Sequence, residues 1–165
     1  MRGEGAVGDG YFLDVAKKKG WNVFGTEFSD EAILVCKNNS INISQGPLNS
    51  KNYYPGMFDV ITSFEVIEHI NNPHNYSSAI RDLLRRGGIF YFTTPNFNAL
   101  NKFVLGSKWN IVEYPEHLCY FTKRTANRLL TSNGFEKLKI LTTGINLNRY
   151  HSSLEHSQVL QEEKD

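Results

Sequence analysis

Two kinds of segment alternate along the chain. Short runs rich in β-branched and aromatic residues are typical of strands, and longer segments with apolar residues every three or four positions are typical of helices. Clusters of glycine, proline and asparagine separate them. The predicted strands cover residues 21–27, 41–44, 58–64, 89–94 and 135–143. Strands that alternate with helices favour a parallel sheet covered by helices.

Four helices are predicted beside these strands from apolar spacing and from residues that begin or end helices. The first spans 10–19, and the second follows the N-cap Ser29. The third begins at Pro73 and runs to Arg86, where two glycines end it, and the last begins after Thr122. The order of elements predicts an α/β fold with a doubly wound, mostly parallel sheet and helices on both faces.

The composition allows one globular domain and narrows the class of partner. The chain has 165 residues, of which 40% are hydrophobic, and its formal net charge is +1. A chain of this size forms one core. Because a nearly neutral protein has no general attraction for nucleic acid or anionic membranes, we expect a small-molecule partner and no nucleic acid.

The cysteines and the hydropathy pattern indicate the compartment. Cys36 and Cys119 form neither a disulfide framework nor a zinc motif. The sequence shows neither a signal-peptide pattern nor an apolar stretch of about 18 residues. We therefore expect a cytoplasmic protein with reduced thiols and no membrane insertion.

A glycine pair and an acidic residue have the spacing of a nucleoside site. Gly8 and Gly10 flank Asp9 directly before the first helix, and Glu27 ends the next strand, 19 positions after Gly8. Glycines let a backbone approach a ligand closely, and a carboxylate about 20 residues on can accept hydrogen bonds from ribose hydroxyls. An ordinary tight turn is the alternative. Leu13 stands where a dinucleotide site needs a third glycine, which disfavours a nicotinamide dehydrogenase.

The strongest motif is the predicted strand at 58–64 together with the E-V-I-E-H run that follows it at 65–69. Further motifs lie at 84–88, 94–96, 116–118 and 133–135. As a set they resemble the class I S-adenosylmethionine-dependent methyltransferases, in the branch that includes the ubiquinone-biosynthesis O-methyltransferases. The resemblance covers about residues 4–143 and implies the Rossmann-like methyltransferase fold.

The resemblance also implies a set of residues that bind S-adenosylmethionine. Gly8 and Gly10 match glycines beside the methionine part, and Glu27 matches the acidic ribose ligand. The backbone of Phe64 matches a contact to the methionine part, and Leu48 is the expected neighbour of the adenine. The full expected cofactor set is Gly8, Asp9, Gly10, Glu27, Phe28, Leu48, Phe64 and Glu65.

Titratable residues of the same motifs match a metal site and a catalytic base. Glu65, Glu68 and His69 match positions that hold a divalent metal in some ubiquinone-type members. Alternatively, Glu65 contacts cofactor or substrate while the other two cap a helix or form hydrogen bonds. His117 and His69 are the candidate bases, since a neutral imidazole can accept the proton of an attacking hydroxyl. His117 could instead hold, by hydrogen bonds, the lid over the acceptor pocket that the resemblance implies.

The domain is expected to cover residues 1–145, with a lid over the acceptor pocket at 97–121 and a polar, flexible tail at 146–165. Compared with the family pattern, the first strand and the last hairpin are expected to be incomplete. The predicted function is methyl transfer from S-adenosylmethionine to a small molecule, at a hydroxyl oxygen. The alternative is a truncated, non-catalytic binding or regulatory module on the same scaffold.

Overall fold

A computed structural model describes residues 2–6, 10–98 and 117–142 of the chain. Within these ranges five strands alternate with four α-helices. The strands are β1 (Arg2–Ala6), β2 (Asn22–Glu27), β3 (Asn42–Gln45), β4 (Phe58–Phe64) and β5 (Leu84–Thr93). The helices are α1 (Tyr11–Lys18), α2 (Asp30–Asn38), α3 (Pro73–Leu83) and α4 (Lys123–Ser132), with short 3-10 helices at Ser50–Asn52 and Ile67–His69.

The five strands form one parallel sheet in the order β3-β2-β1-β4-β5. The central strand is β1, in which Gly5 lies opposite Gly25 of β2 and Thr62 of β4. The chain winds from β1 towards one edge and then from β4 towards the other. In such sheets ligands bind in the crevice outside the carboxyl ends of the strands, where the winding reverses. The predicted doubly wound α/β fold is confirmed.

Helices cover both faces of the sheet. Successive residues of a strand point to opposite faces, and Val23 of β2 packs with α1 and α2 while Phe24 packs on the side of α3. The core cluster of the first face is Leu13, Val23, Cys36 and Ile41. That of the second face is Phe58, Ile61, Ile80 and Leu83.

The predicted starts of α2 and α4 are confirmed by their caps. The hydroxyl of Ser29 accepts a hydrogen bond from the amide of Ala32 at 3.4 Å. Thr122 and Thr125 cap α4 reciprocally, each hydroxyl accepting from the other residue's amide, at 3.2 Å and 2.8 Å. Such caps satisfy amides that the first turn of a helix leaves without partners.

The predicted end of the third helix is wrong. The helix α3 ends at Leu83 rather than Arg86, because Leu84 is already extended and pairs with Phe58 of β4. The ladder between β4 and β5 resumes five residues later, so the intervening residues bulge out of it. Gly87 lies in this bulge with φ of 75°, a left-handed conformation that glycine adopts readily. Pairing with β4 overrides the local helical pattern.

The strand predicted at 135–143 is also wrong for the described residues 135–142, which form no strand. Lys137 has φ of 53°, which interrupts an extended backbone. Phe135 instead packs against Phe90 of β5, with ring centroids 5.6 Å apart. The segment therefore packs against β5 as an irregular stretch.

Three expectations concern residues outside the described ranges. These are most of the lid, at 99–116, the polar tail at 146–165, and the last hairpin, which would follow Ile145. In the part of the chain that the structure describes, no helix is both long enough and apolar enough to cross a membrane.

Candidate cofactor site and titratable cluster

The loop between β1 and α1 begins the candidate cofactor site. Gly10 is the N-cap of α1 and has φ of 77°, a left-handed conformation in which a residue with a Cβ is strained. Gly10 is buried, and its carbonyl accepts a hydrogen bond from the backbone amide of Asp14 at 2.9 Å. Of the three predicted residues in this loop, the structure describes Gly10 and leaves Gly8 and Asp9 outside the described ranges.

The acidic residue at the end of β2 is held by the backbone that follows it. Oε1 of Glu27 accepts hydrogen bonds from the amides of Phe28 at 2.7 Å and Ser29 at 3.1 Å. The Glu27 carbonyl also accepts from Gly46 at 2.8 Å, which ties the end of β2 to the end of β3. A carboxylate can accept about four hydrogen bonds, so two backbone donors orient this one at the carboxyl edge of the sheet. Phe28 is 70% exposed beside it.

Leu48 and Phe64 lie in two different environments. Leu48 is half-buried and packs against the core cluster on the α3 face. Phe64, the last residue of β4, contacts Phe12 of α1 and Tyr91 of β5, with ring centroids 5.3 Å and 5.8 Å apart. The three rings form an aromatic row. The contacts predicted for Leu48 with the adenine and for the Phe64 backbone with the methionine part stay predictions.

Glu65 directly follows β4 in a conformation that few non-glycine residues adopt. Its φ is 51°, and its amide donates to the Thr93 carbonyl at 3.1 Å and to the Thr93 hydroxyl at 3.2 Å. Left-handed backbone at a non-glycine residue costs about 1–3 kcal/mol and is concentrated at functional sites. The turn is thus fixed where β4 and β5 end together.

Glu68 is buried, with 2% of its surface exposed. Its Oε2 accepts a hydrogen bond from the Thr94 hydroxyl at 3.0 Å, and its Oε1 accepts none from the described part of the chain. Burial raises the pKa of the Glu68 carboxyl above its ordinary value, and the nearby charge of Glu65 acts in the same direction. An incompletely paired buried carboxylate is unfavourable unless a proton or a cation compensates it.

The backbone of Glu68 holds the segment that begins at His117. Its carbonyl accepts hydrogen bonds from the amides of Leu118 at 2.8 Å and Cys119 at 2.9 Å. The Cys119 thiol donates to the carbonyl of Ile70 at 3.6 Å. These contacts place the exposed His69 ring and the half-buried His117 ring with their centroids 4.9 Å apart.

One set of donor atoms in the described residues is close enough to share a metal ion. One ligand atom from each of Glu68, His69 and His117 lies within 4.8 Å of the others. This set, the titratable cluster, shares two residues with the predicted metal set but contains His117 in place of Glu65. Sequence reasoning considered His117 only as a base or a lid residue, because no spacing motif connects it with residues 68 and 69.

Comparison with known proteins places the chain in a family. The family model described as "Methyltransferase domain" matches residues 7–140, and the chain belongs to this family. The ubiquinone biosynthesis O-methyltransferase of Shewanella pealeana is 26% identical over 117 residues, which are 66% of this chain and 50% of the relative. That of Colwellia psychrerythraea is 32% identical over 96 residues, 54% of this chain and 39% of the relative. The chain thus spans about half the length of the first relative and less of the second.

Solved structures show the same fold. A SAM-dependent methyltransferase from Archaeoglobus fulgidus matches with a TM-score of 0.67 at 15% identity, covering 96% of this chain and 78% of that chain. An S-adenosylmethionine-dependent methyltransferase from Mesorhizobium loti matches with a TM-score of 0.64 at 18% identity, covering 82% and 74%. The predicted family resemblance and the Rossmann-like methyltransferase fold are confirmed.

Proposed function

We propose that the protein transfers the methyl group of S-adenosylmethionine to a hydroxyl oxygen of a small molecule. One observation carries the proposal. The turn at Gly10, the oriented carboxylate of Glu27 and the fixed turn at Glu65 all lie where strands of the methyltransferase sheet meet the segments that follow them. In doubly wound sheets this edge is where ligands bind.

The residues at this edge suit the parts of S-adenosylmethionine. When bound, the molecule supplies an electrophilic methyl group on a sulfonium centre. The turn at Gly10 lets the backbone approach the methionine part, and the Glu27 carboxylate accepts hydrogen bonds from the ribose hydroxyls. Leu48 and Phe64 supply apolar and backbone surface for the adenine and the methionine part.

Methyl transfer requires alignment of the reacting atoms and removal of one proton. A carbon–oxygen bond forms while the carbon–sulfur bond breaks, its electron pair stays on sulfur, and the hydroxyl proton leaves. Most of the protein's contribution is to hold the two reactants about 3–3.5 Å apart and in line. We propose that the titratable cluster accepts the hydroxyl proton, with His117 as the first candidate acceptor and His69 as the second.

The expected class of methyl acceptor follows from the names of the matched relatives and from the net charge of the chain. The matched relatives are named as O-methyltransferases, which favours oxygen over nitrogen or carbon. The net charge of +1 gives no general attraction for nucleic acid, which favours a small-molecule acceptor. Phenolic quinone precursors and sugars are therefore the first acceptors to screen.

Calorimetric titration of the chain with S-adenosylmethionine, S-adenosylhomocysteine and NAD tests the proposal. We expect micromolar binding of the first two and none of NAD, followed by methyl transfer to a hydroxyl acceptor from the screen. A folded chain that binds none of the three would overturn the proposal and favour the non-catalytic module. Binding of NAD alone would favour a dehydrogenase instead.

A further inference from the structure

A cavity lies beyond the carboxyl end of β5, between the segment that follows this strand and the start of α4. Its volume is about 710 Å³, within the range of about 300–1,000 Å³ typical of small-molecule pockets. It is lined by Asn96 and Asn98, by the first two turns of α4 and by residues 138–140. Leu138 and Ile140 are half-buried and give the cavity an apolar wall.

The charged residues of this cavity all carry the same sign. Lys123, Arg124 and Lys139 are exposed cations, and the described lining residues include no aspartate or glutamate. The side-chain ion pairs within residues 2–6, 10–98 and 117–142 lie elsewhere, so no carboxylate of these ranges neutralises the three cations. We propose that the cavity binds the phosphate group of a small molecule, and that this molecule is the methyl acceptor.

The start of α4 is an unfavourable place for two adjacent cations. The N-terminus of a helix carries a partial positive charge, so acidic residues are stabilising there and basic residues are not. The first turn of α4 contains Lys123 and Arg124 and no acidic residue. A bound anion would offset this repulsion. Since Thr122 and Thr125 already cap the helix, we expect the side chains of the cavity to supply the donors.

The number of cations favours phosphate over carboxylate. A carboxylate carries one negative charge, whereas a phosphate monoester carries about −1.5 to −2 at pH 7 and has three acceptor oxygens. The Arg124 guanidinium can donate two parallel hydrogen bonds to such a group, and Lys123 and Lys139 can each donate from an ammonium. Asn127 follows Lys123 by one turn on the same face of α4 and adds an uncharged donor. The donor set therefore matches a doubly charged group.

Asn96 connects the cavity with the titratable cluster. Asn96 pairs with Phe121, and its side-chain carbonyl accepts a hydrogen bond from the amide of Asn98 at 3.1 Å. It lies two residues after Thr94, whose hydroxyl donates to Glu68, so the Cα atoms of Asn96 and Thr94 are at most about 7 Å apart. A sugar phosphate bound in the cavity can therefore extend its hydroxyl groups towards the cluster. Its role as methyl acceptor rests on the proposed function, whereas phosphate binding does not.

Phosphate binding can be measured on the full chain by calorimetry at constant ionic strength. The probes are inorganic phosphate, glucose 6-phosphate, glucuronate and glucose, of which the last two replace the phosphate ester by a carboxylate or an uncharged hydroxymethyl group. We expect one equivalent of either phosphate compound and at least about tenfold weaker binding of glucuronate and glucose, because they lose charged hydrogen bonds. No binding of either phosphate compound, or a preference for glucuronate, would overturn the proposal.

Matched variants locate the binding. Arg124→Gln and Lys139→Gln should each weaken glucose 6-phosphate binding at least about tenfold, since each removes a charged donor. Arg128→Gln removes the same charge from an exposed position of α4 outside the cavity and should change affinity less than about twofold, because salt screens exposed charges. Equal affinities in Arg124→Gln and Arg128→Gln would contradict the proposed site. Circular dichroism confirms that each variant is folded.

Phosphate groups also occur on lipid headgroups, and a sedimentation experiment distinguishes that source. The chain is mixed with phosphatidylcholine vesicles that contain or lack phosphatidic acid. We expect no sedimentation with either kind of vesicle, because the cavity has the size of a small-molecule pocket. Binding to the phosphatidic acid vesicles without binding of glucose 6-phosphate would overturn the proposal.

S-adenosylhomocysteine titration of the same samples separates this proposal from the proposed function. Intact S-adenosylhomocysteine binding without phosphate binding would remove the phosphate site alone. Phosphate binding without S-adenosylhomocysteine binding would remove the proposed function and the acceptor role. With a phosphorylated acceptor, Arg124→Gln should raise KM and leave kcat unchanged, because it removes binding remote from the methyl group. A fall in kcat at constant KM would contradict this role.

Discussion

The two sides of the crevice hold their acidic residues in different ways. On the β2 side, Glu27 is half-buried, and the amides of the next two residues orient its carboxylate. On the β4 side, Glu68 is buried, and its partners come from Thr94 after β5 and from residues 118–119, far along the chain. The first arrangement is local, and the second depends on tertiary contacts.

This difference predicts different consequences of substitution. A carboxylate that binds a ligand must stay accessible, so changing Glu27 should alter ligand affinity more than stability. The buried carboxylate of Glu68 accepts a hydrogen bond from Thr94, and the Glu68 carbonyl accepts two from residues 118–119, so changes around this residue should alter the free energy of unfolding. The predictions below test this contrast.

The largest expected loss of stability follows removal of the Thr94 hydroxyl. Thr94→Val leaves Oε2 of Glu68 without its donor, and a buried group that loses its partner costs about 1–3 kcal/mol. Urea unfolding of the variant measures this cost. Thr131→Val, on the exposed surface of α4, should change stability by less than about 0.5 kcal/mol. Equal changes in the free energy of unfolding for Thr94→Val and Thr131→Val would contradict the expectation that contacts of Glu68 stabilise the fold.

The raised pKa of Glu68 predicts a pH dependence of stability. Because the folded state holds the Glu68 proton more tightly than the unfolded state, it binds more protons between the two pKa values. The free energy of unfolding should therefore fall as pH rises above about 4.3, the ordinary glutamate pKa, until it passes the raised pKa. Urea unfolding from pH 4 to 8 measures this slope.

Glu68→Gln is the control for the pH dependence, since its amide does not titrate. The difference between wild type and variant should shrink towards low pH, where Glu68 is protonated in both states. A constant difference across this range would show that Glu68 does not titrate differently on folding. A difference that grows as pH falls would contradict the sign of the shift.

The smallest effect is expected at the left-handed turn after β4. Glu65→Gly and Lys137→Gly both remove a Cβ from a residue with φ near 50° and should each stabilise the fold by about 0.5–1 kcal/mol. Only Glu65→Gly should also weaken S-adenosylhomocysteine binding, measured by calorimetry. Equal affinities in the two variants would show that the strain at Glu65 does not serve the cofactor site.

Local signals in the sequence account for most of the fold. The strand at 58–64 is predicted with its observed bounds, because its β-branched and aromatic residues fill the core. Ser29 and Thr122 cap their helices as predicted, since capping depends on neighbours within the first turn. The position of Glu27 at the end of β2 follows from the same local pattern.

The errors lie where tertiary contacts prevail over local pattern. Residues 84–86 continue a helical pattern, but Leu84 pairs with β4 and the next residues bulge out of the ladder. The left-handed Lys137 interrupts the predicted strand at 135–143. The approach of His117 to Glu68 and His69 depends on backbone hydrogen bonds between distant segments. A sequence pattern carries no sign of such bonds, so the titratable cluster required the structure.

The central claim is that the carboxyl edge of β2 binds the cofactor ribose. Its most direct test is calorimetric titration of S-adenosylhomocysteine into the wild type, Glu27→Ala, Glu27→Gln and the exposed control Glu31→Ala. We predict that Glu27→Ala weakens binding about 10- to 150-fold, equivalent to about 1.5–3 kcal/mol for hydrogen bonds to a charged group, and that Glu31→Ala leaves it unchanged. Binding within twofold of wild type in a folded Glu27→Ala variant would contradict the assignment.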